Sequence, residues 1–184
     1  MPEVFTIGHS NHSPEKLRDL LMAQRIDVVV DVRSAPYSRY SPQFNRERLA
    51  RSLNPIRYAF MGDSLGGRPN DESFYDEAGH VLYGPLSRSQ PFVAGIEQLE
   101  RNAAKYRIAL LCSEADPASC HRFLLITRSL RSRGFDPSSI QHILGDGSTR
   151  TDVEIGVQAS MMEDSWRSPL SVSQSRAPSH SSAG

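Results

Sequence analysis

The run Ile26-Asp27-Val28-Val29-Val30-Asp31-Val32-Arg33-Ser34 constrains the fold most. β-branched residues without polar alternation suit a strand buried on both faces, and such strands belong to parallel sheets covered by crossover helices. The flanking segments supply those helices. Residues 13–25 open with Ser13 as an N-cap and Pro14 at the first helical position, and set Leu17, Leu20 and Leu21 on one face. Residues 45–53 read as a short helix capped by Asn45, and 91–106 as a helix from the spacing of Phe92, Ile96 and Leu99. Residues 116–134 read as one further helix, with Asp116 as N-cap, Pro117 at its start and Gly134 at its end.

Strands are expected at 3–8, 26–34, 56–60, 107–112 and 140–144. The alternation predicts an α/β fold in three layers, a mostly parallel central sheet of about five strands with helices on both faces. Residues 61–91, rich in Gly, Pro, Asp and Ser, read as a long irregular excursion of the kind that carries function. The expected organisation is one domain over residues 1–155 and a Ser-rich, disordered tail over 156–184.

The balance of 21 basic and 21 acidic residues disfavours a surface that clamps nucleic acid everywhere, yet it permits a local basic patch. No apolar run reaches the roughly 18 residues of a membrane span, and nothing at the start resembles a signal peptide. The expected location is the cytoplasm, where the two cysteines stay reduced and a structural disulfide is disfavoured. No membrane partner is expected, and the sequence does not specify an oligomeric state.

In open parallel sheets, ligands bind beyond the carboxyl ends of the strands. The residues after each expected strand are Gly8-His9-Ser10-Asn11, Asp31-Val32-Arg33-Ser34, Leu65-Gly66-Gly67-Arg68, Cys112-Ser113-Glu114 and Gly145-Asp146-Gly147. Reactive side chains therefore gather along one rim. Cys120, His121, Glu114, His9, Asp31 and Cys112 are the catalytic candidates, and Ser10, Asn11, Arg33, Ser38, Gly66, Gly67, Arg68 and Arg122 the candidates for holding an anionic substrate. Cys120 is expected in the first turn of the helix from Asp116, where unpaired N–H groups, His121 and Arg122 would lower its pKa. Burial as an ordinary core thiol is the competing reading for both cysteines, and for Cys112 in particular, which closes an apolar run.

A metal bound by Cys112, Cys120, His121, His9 and Asp31 ranks below the free thiol. The cysteines lack the short gap of structural zinc sites, and Cys120 and His121 on a helix would point about 100° apart. The sequence thus requires no cofactor. Asp31 and Arg33 also admit a structural reading, as a turn cap and its ion-pair partner.

The segment from Arg33 to Arg57 holds six arginines against one acid, Glu47, interleaved with Tyr37, Tyr40 and Phe44. Arginine with aromatics grips phosphates and stacks bases. Arg39, Tyr40, Arg46, Arg48 and Arg51 are accordingly the candidate residues of a nucleic-acid-binding module, the alternative to an enzyme.

Taken together, "TIGHSN", "DVRSAPYSRYSPQFN", "SLGGRP", "LLCSEADPASCHR" and "QHI", in this order, resemble the domain-of-unknown-function 488 family over roughly Phe5 to Leu144. The resemblance implies an α/β fold, with the family's Gly-His-Ser, Asp-Val-Arg and Cys-His-Arg positions at Gly8, His9, Ser10, Asp31, Val32, Arg33, Cys120, His121 and Arg122. "VVVDVRS" is also similar to a strand of rhodanese-like sulfur transferases, a likeness that stops there. The reading that results is an enzyme, a cysteine-dependent transferase or hydrolase, acting on a nucleotide, nucleic-acid or phosphorylated or sulfur-containing substrate.

Overall fold

The computed structural model describes residues 2–159 and 166–171 of the 184-residue chain. Among them, six strands form one sheet in the order β3-β2-β4-β1-β5-β6. The strands are β1 (Val4–Gly8), β2 (Val28–Asp31), β3 (Arg57–Phe60), β4 (Ile108–Cys112), β5 (Ile140–Ile143) and β6 (Thr149–Thr151). The first five pair in parallel, as the valine run requires. The sixth was not expected. It is short and polar, and pairs antiparallel with β5 after a tight turn in which Gly147 takes a φ of 90°.

Side chains along a strand alternate between faces, and β4 shows how this divides the core. Ile108, Leu110 and Cys112 enter one apolar cluster with Ile96, Leu99, Leu125, Ile126 and Leu130. Ala109 and Leu111 enter the opposite cluster with Leu17, Leu20, Leu21 and Leu49. The second layer is built by α1 (Pro14–Ala23) and α2 (Arg46–Ser52), and the first by α5 (Gln90–Ala103) and the helix ending in α6 (Arg128–Ser132). Ser13 caps α1 by accepting the Lys16 N–H, and Leu17, Leu20 and Leu21 are its buried stripe. Each such aliphatic side chain taken out of water contributes roughly 1.5–3 kcal/mol, which holds the layers on the sheet.

The segment 61–91 is more ordered than expected. It contains α3 (Gly62–Leu65), a 3₁₀ turn (Glu72–Phe74) and α4 (Tyr83–Ser87). Residues 166–171 lie across it: Ser168 exchanges hydrogen bonds with Val81, and Trp166 donates its indole N–H to the Leu124 carbonyl at 2.6 Å. Of the tail expected over 156–184, residues up to Ala159 belong to α7 (Asp152–Ala159) and 166–171 form this strap. The remainder lies outside the described residues. Asp152 at the start of α7 takes the Nε2 hydrogen of buried His142 at 3.1 Å, while His142 Nδ1 accepts from Thr6 at 2.8 Å.

The helix expected over 116–134 is a correction with consequences for the site. Asp116 caps only one 3₁₀ turn (Pro117–Ser119), accepting the Ala118 N–H at 2.9 Å. Cys120 then takes extended backbone, with φ −119° and ψ 145°. A new helix follows His121, beginning with a π-helical stretch (Arg122–Thr127) that runs into α6. Cys120 is therefore outside any helical turn.

Candidate active site

Cys112 is the last residue of β4, and Gly8, its register partner on β1, has no side chain to intervene. A Cβ at Gly8 would stand 1.7 Å from the Glu114 carbonyl oxygen, so only glycine lets the chain after β4 fold over the end of β1. That chain turns through Glu114 and returns to Cys120, placing both thiols beside one carboxylate. Cys112 Sγ donates to Glu114 Oε2 at 2.9 Å, and Cys120 Sγ donates to the same oxygen at 3.1 Å. The extended backbone of Cys120 is what turns it and its neighbour His121 to the same cluster. His121 Nδ1 lies 3.5 Å from Cys112 Sγ and 3.8 Å from Cys120 Sγ. The ring's orientation is fixed from behind, where Nε2 donates to the Val32 carbonyl at 3.0 Å.

Two further features hold this arrangement. Arg122 is fully buried and donates to the carbonyls of Glu114 at 2.6 Å and Ala115 at 3.0 Å, pinning the loop that carries the carboxylate. A Cβ at Gly67 would sit 2.6 Å from the His121 ring, and one at Gly66 would sit 2.3 Å from Ser34 Oγ. The Gly-Gly pair thus brings main chain against the histidine. Arg68, next along, has its N–H bound by Ser34 Oγ at 2.9 Å while its side chain is exposed.

The electrostatics revise the expected thiolate. Burial pushes the Cys120 thiol well up, and the neighbouring Cys112 adds to that, so the metal-free residue is a protonated thiol. The lowered pKa expected at a helix start does not arise, since Cys120 is buried and lies before the helix. Burial also works against the Glu114 carboxylate, but hydrogen bonds from Cys112 and Cys120 and the charge of His121 outweigh it and hold the group down at about 2. Tyr83, which sequence reasoning missed, is almost fully buried close to these groups; burial first, then Cys120, Cys112 and Glu114, push its phenol up. The phenol carries no local sequence signal, because the excursion that brings it here is irregular.

The other rim residues form a second cluster on the opposite face of the sheet. Asp31, wholly buried, takes a bidentate pair from Arg33, with Nε to Oδ1 at 2.9 Å and Nη2 to Oδ2 at 2.7 Å, and also takes the Tyr58 hydroxyl at 2.6 Å. Arg33 Nη1 reaches His9 Nε2 at 3.4 Å, and His9 stacks on Phe44 with ring centroids 4.3 Å apart. His9 Nδ1 donates to the Ser10 carbonyl at 2.8 Å, for which Ser10 takes a φ of 47°. Ser10 and Asn11 bond to each other, and Ser38 Oγ accepts the N–H groups of Tyr40 and Ser41, so its hydroxyl shapes its own loop. Asp146 binds Ser148 within the β5–β6 turn and stands apart from both clusters.

Desolvation lowers the His9 pKa from 6.5 to about 4, keeping it neutral in the folded chain. A depressed histidine contributes stability that is complete above 6.5 and is lost as pH falls towards 4, because the unfolded chain then binds the proton first. The shift corresponds to on the order of 3 kcal/mol. Urea denaturation of wild type and His9→Phe between pH 7 and 4.5 is expected to show a steeper acid loss in wild type. Parallel curves would remove His9 from the balance.

Arg39, Tyr40, Arg46, Arg48 and Arg51 are all exposed, with Tyr40 at 73%. Arg39 lies over the Tyr40 ring and Arg46 over Phe60, while Tyr37 donates to Glu47 at 2.6 Å. None of them belongs to the thiol cluster.

Compared with known proteins, residues 13–128 match the family model described as the domain of unknown function DUF488. The match contains both cysteines, Glu114, His121 and the Asp31–Arg33 pair, and begins after Gly8 and His9. No curated protein and no solved structure matches the chain.

Proposed function

The chain belongs to the domain-of-unknown-function DUF488 family, and from that premise we propose that it is an enzyme whose working centre is Cys112, Glu114, Cys120 and His121. One observation carries the reading: two thiols donate to a single oxygen of one half-buried carboxylate. Core thiols need no such partner, and a carboxylate is costly to bury unless its hydrogen bonds are met. A carboxylate with protonated partners at hydrogen-bond distance is the arrangement of general acid–base and nucleophile catalysis. Transfer or hydrolysis of a group is the chemistry it serves.

The substrate is read as anionic, a nucleotide-like or phosphorylated or sulfur-containing molecule. Arg68 supports this, since its guanidinium has no side-chain partner among the described residues and lies near enough to the centre for its charge to act on Tyr83. A reducing compartment such as the cytoplasm would keep the neighbouring thiols in the required state.

The test is turnover of a panel of nucleotides, sugar phosphates and organic sulfur anions, with products followed by mass spectrometry. Glu114→Gln is expected to lower kcat roughly 100-fold or more with the fold unchanged. Arg68→Ala is expected to raise KM about tenfold with little effect on kcat. Full activity in Glu114→Gln, or no turnover of any member of the panel, would sink the reading.

The exposure of Arg39, Tyr40, Arg46, Arg48 and Arg51 favours a second reading, a nucleic-acid-binding module without catalysis. It predicts binding of single-stranded DNA or RNA that weakens steeply with salt, as phosphate contacts release counterions. Changing Arg46, Arg48 and Arg51 together to glutamate is expected to abolish that binding and leave the unfolding midpoint within about 0.5 kcal/mol of wild type. Absence of binding at low salt rules this reading out.

A further inference from the structure

We infer that Cys112, Cys120 and His121 are three ligands of a divalent metal of the zinc type, with the Glu114 carboxylate beside the two sulfurs. The inference rests on the reading of this cluster as the working centre and adds what fills it.

The geometry is the first argument. The two sulfur atoms and His121 Nδ1 all lie within 4.8 Å of one another, with both cysteines buried and His121 half-buried. Zinc binds sulfur at about 2.3 Å and imidazole nitrogen at about 2.0–2.1 Å, so the sulfur-to-nitrogen edge of a tetrahedral site is about 3.6 Å. The two such edges here are 3.5 and 3.8 Å. An ion at the centre of the triangle would meet all three donors with little movement.

The second argument is the support around the histidine. The Val32 carbonyl takes the Nε2 hydrogen, which leaves Nδ1 as the atom to offer a lone pair towards the sulfurs. A ligating imidazole is held in this way when its remote nitrogen donates to a carbonyl. Gly67 closes against the ring, so the orientation is built in before any ion arrives. The adjacency of Cys120 and His121, which on a helix would separate the two donors, is harmless because Cys120 is extended.

The third argument is charge. Two thiolates and a carboxylate around a dication leave one negative charge in a buried site. The fully buried Arg122, bonded to the Glu114 and Ala115 carbonyls, supplies the compensating positive charge. The mixed sulfur and nitrogen donor set selects zinc or a similar ion over calcium and magnesium, which prefer oxygen. On binding, each thiol loses its proton and its sulfur lone pair forms the metal bond, so binding releases protons and weakens in acid.

The test uses the full chain, purified under reducing conditions without chelator, with metal measured by elemental mass spectrometry after gel filtration. About one equivalent of zinc-type metal is expected in wild type and less than about a tenth in Cys112→Ser, Cys120→Ser and His121→Ala. Glu114→Gln is expected to retain the metal, since Glu114 is not one of the three ligands. Circular dichroism identifies any variant that loses metal only by unfolding. Cobalt(II) added to chelator-treated wild type is the second measurement, with a sulfur-to-cobalt charge-transfer band expected in wild type and Glu114→Gln. Wild type that carries no metal and gives no such band with both thiols titrating as free overturns the inference. Metal bound without turnover of any panel substrate overturns the enzyme reading alone, and turnover in a chain that takes up neither zinc nor cobalt overturns this inference alone.

Discussion

Asp31→Ala is expected to destabilise the chain by roughly 3–5 kcal/mol, because it leaves the buried Arg33 guanidinium without its counter-ion. The carboxylate accepts from Arg33 Nε and Nη2, from the Arg33 N–H at 3.1 Å and from the Tyr58 hydroxyl, so one substitution removes four hydrogen bonds at once. Among the described residues, only the Phe44 carbonyl at 2.9 Å and His9 Nε2 would still meet the guanidinium. A domain's total stability is commonly about 5–15 kcal/mol, so this loss takes a large part of it. Urea denaturation measures it, with an expected midpoint lower by about 2 M. The double variant Asp31→Leu, Arg33→Met should recover much of the loss, since replacing both partners leaves no buried charge. A single-variant cost below about 1 kcal/mol would show that water reaches Arg33 and that the pair is not sealed.

Gly8→Ala is expected to cost roughly 3 kcal/mol or more, although alanine adds one carbon. That carbon would lie 1.7 Å from the Glu114 carbonyl oxygen, 2.6 Å from the carbonyl carbon and 2.8 Å from Arg122 Nη1. The first two are main chain and cannot swing aside. Relief requires the end of β1 to part from the chain after β4, which would break the hydrogen bonds of 2.9 Å from the His9 and Ser10 N–H groups to the Cys112 and Ser113 carbonyls. The same movement would shift Glu114 away from the thiols. The substitution therefore tests both fold and site: thermal unfolding should fall by several degrees, and thiol accessibility to a small alkylating reagent should rise. An alanine variant with wild-type stability would mean that the loop after β4 has room to retreat.

The layers of this fold were legible because a parallel strand buried on both faces must be apolar throughout, as Val28 to Val30 and Ile108 to Leu111 are. Strand β6 was not, because three polar residues at a sheet edge carry no apolar pattern. In the sequence, Cys112 and Glu114 stand at the end of an expected strand, and Cys120 and His121 at the start of the helix expected after it. Their actual geometry is not legible there, because it depends on a break at Cys120 that Asp116 and Pro117 conceal: they signal a helix start and produce only one turn. In the sequence, the Gly66–Gly67 pair reads as a contact to an anionic substrate. In the structure its lack of side chains lets the main chain close against Ser34 and His121, a tertiary demand that a local sequence cannot express.

The two borders of the sheet have a consequence of their own. β3 and β6 are only four and three residues long, and each exposes an arginine, Arg57 on one and Arg150 on the other. Free strand edges invite pairing with another chain, and short edges bearing charge discourage it. Arg57, lying over the Tyr106 ring at 4.2 Å, and Arg46, over Phe60 at 4.5 Å, set charge across the outermost parallel strand. Part of the arginine in this stretch thus guards against aggregation whatever else it binds, and a chain stripped of it would lose solubility before it lost its fold.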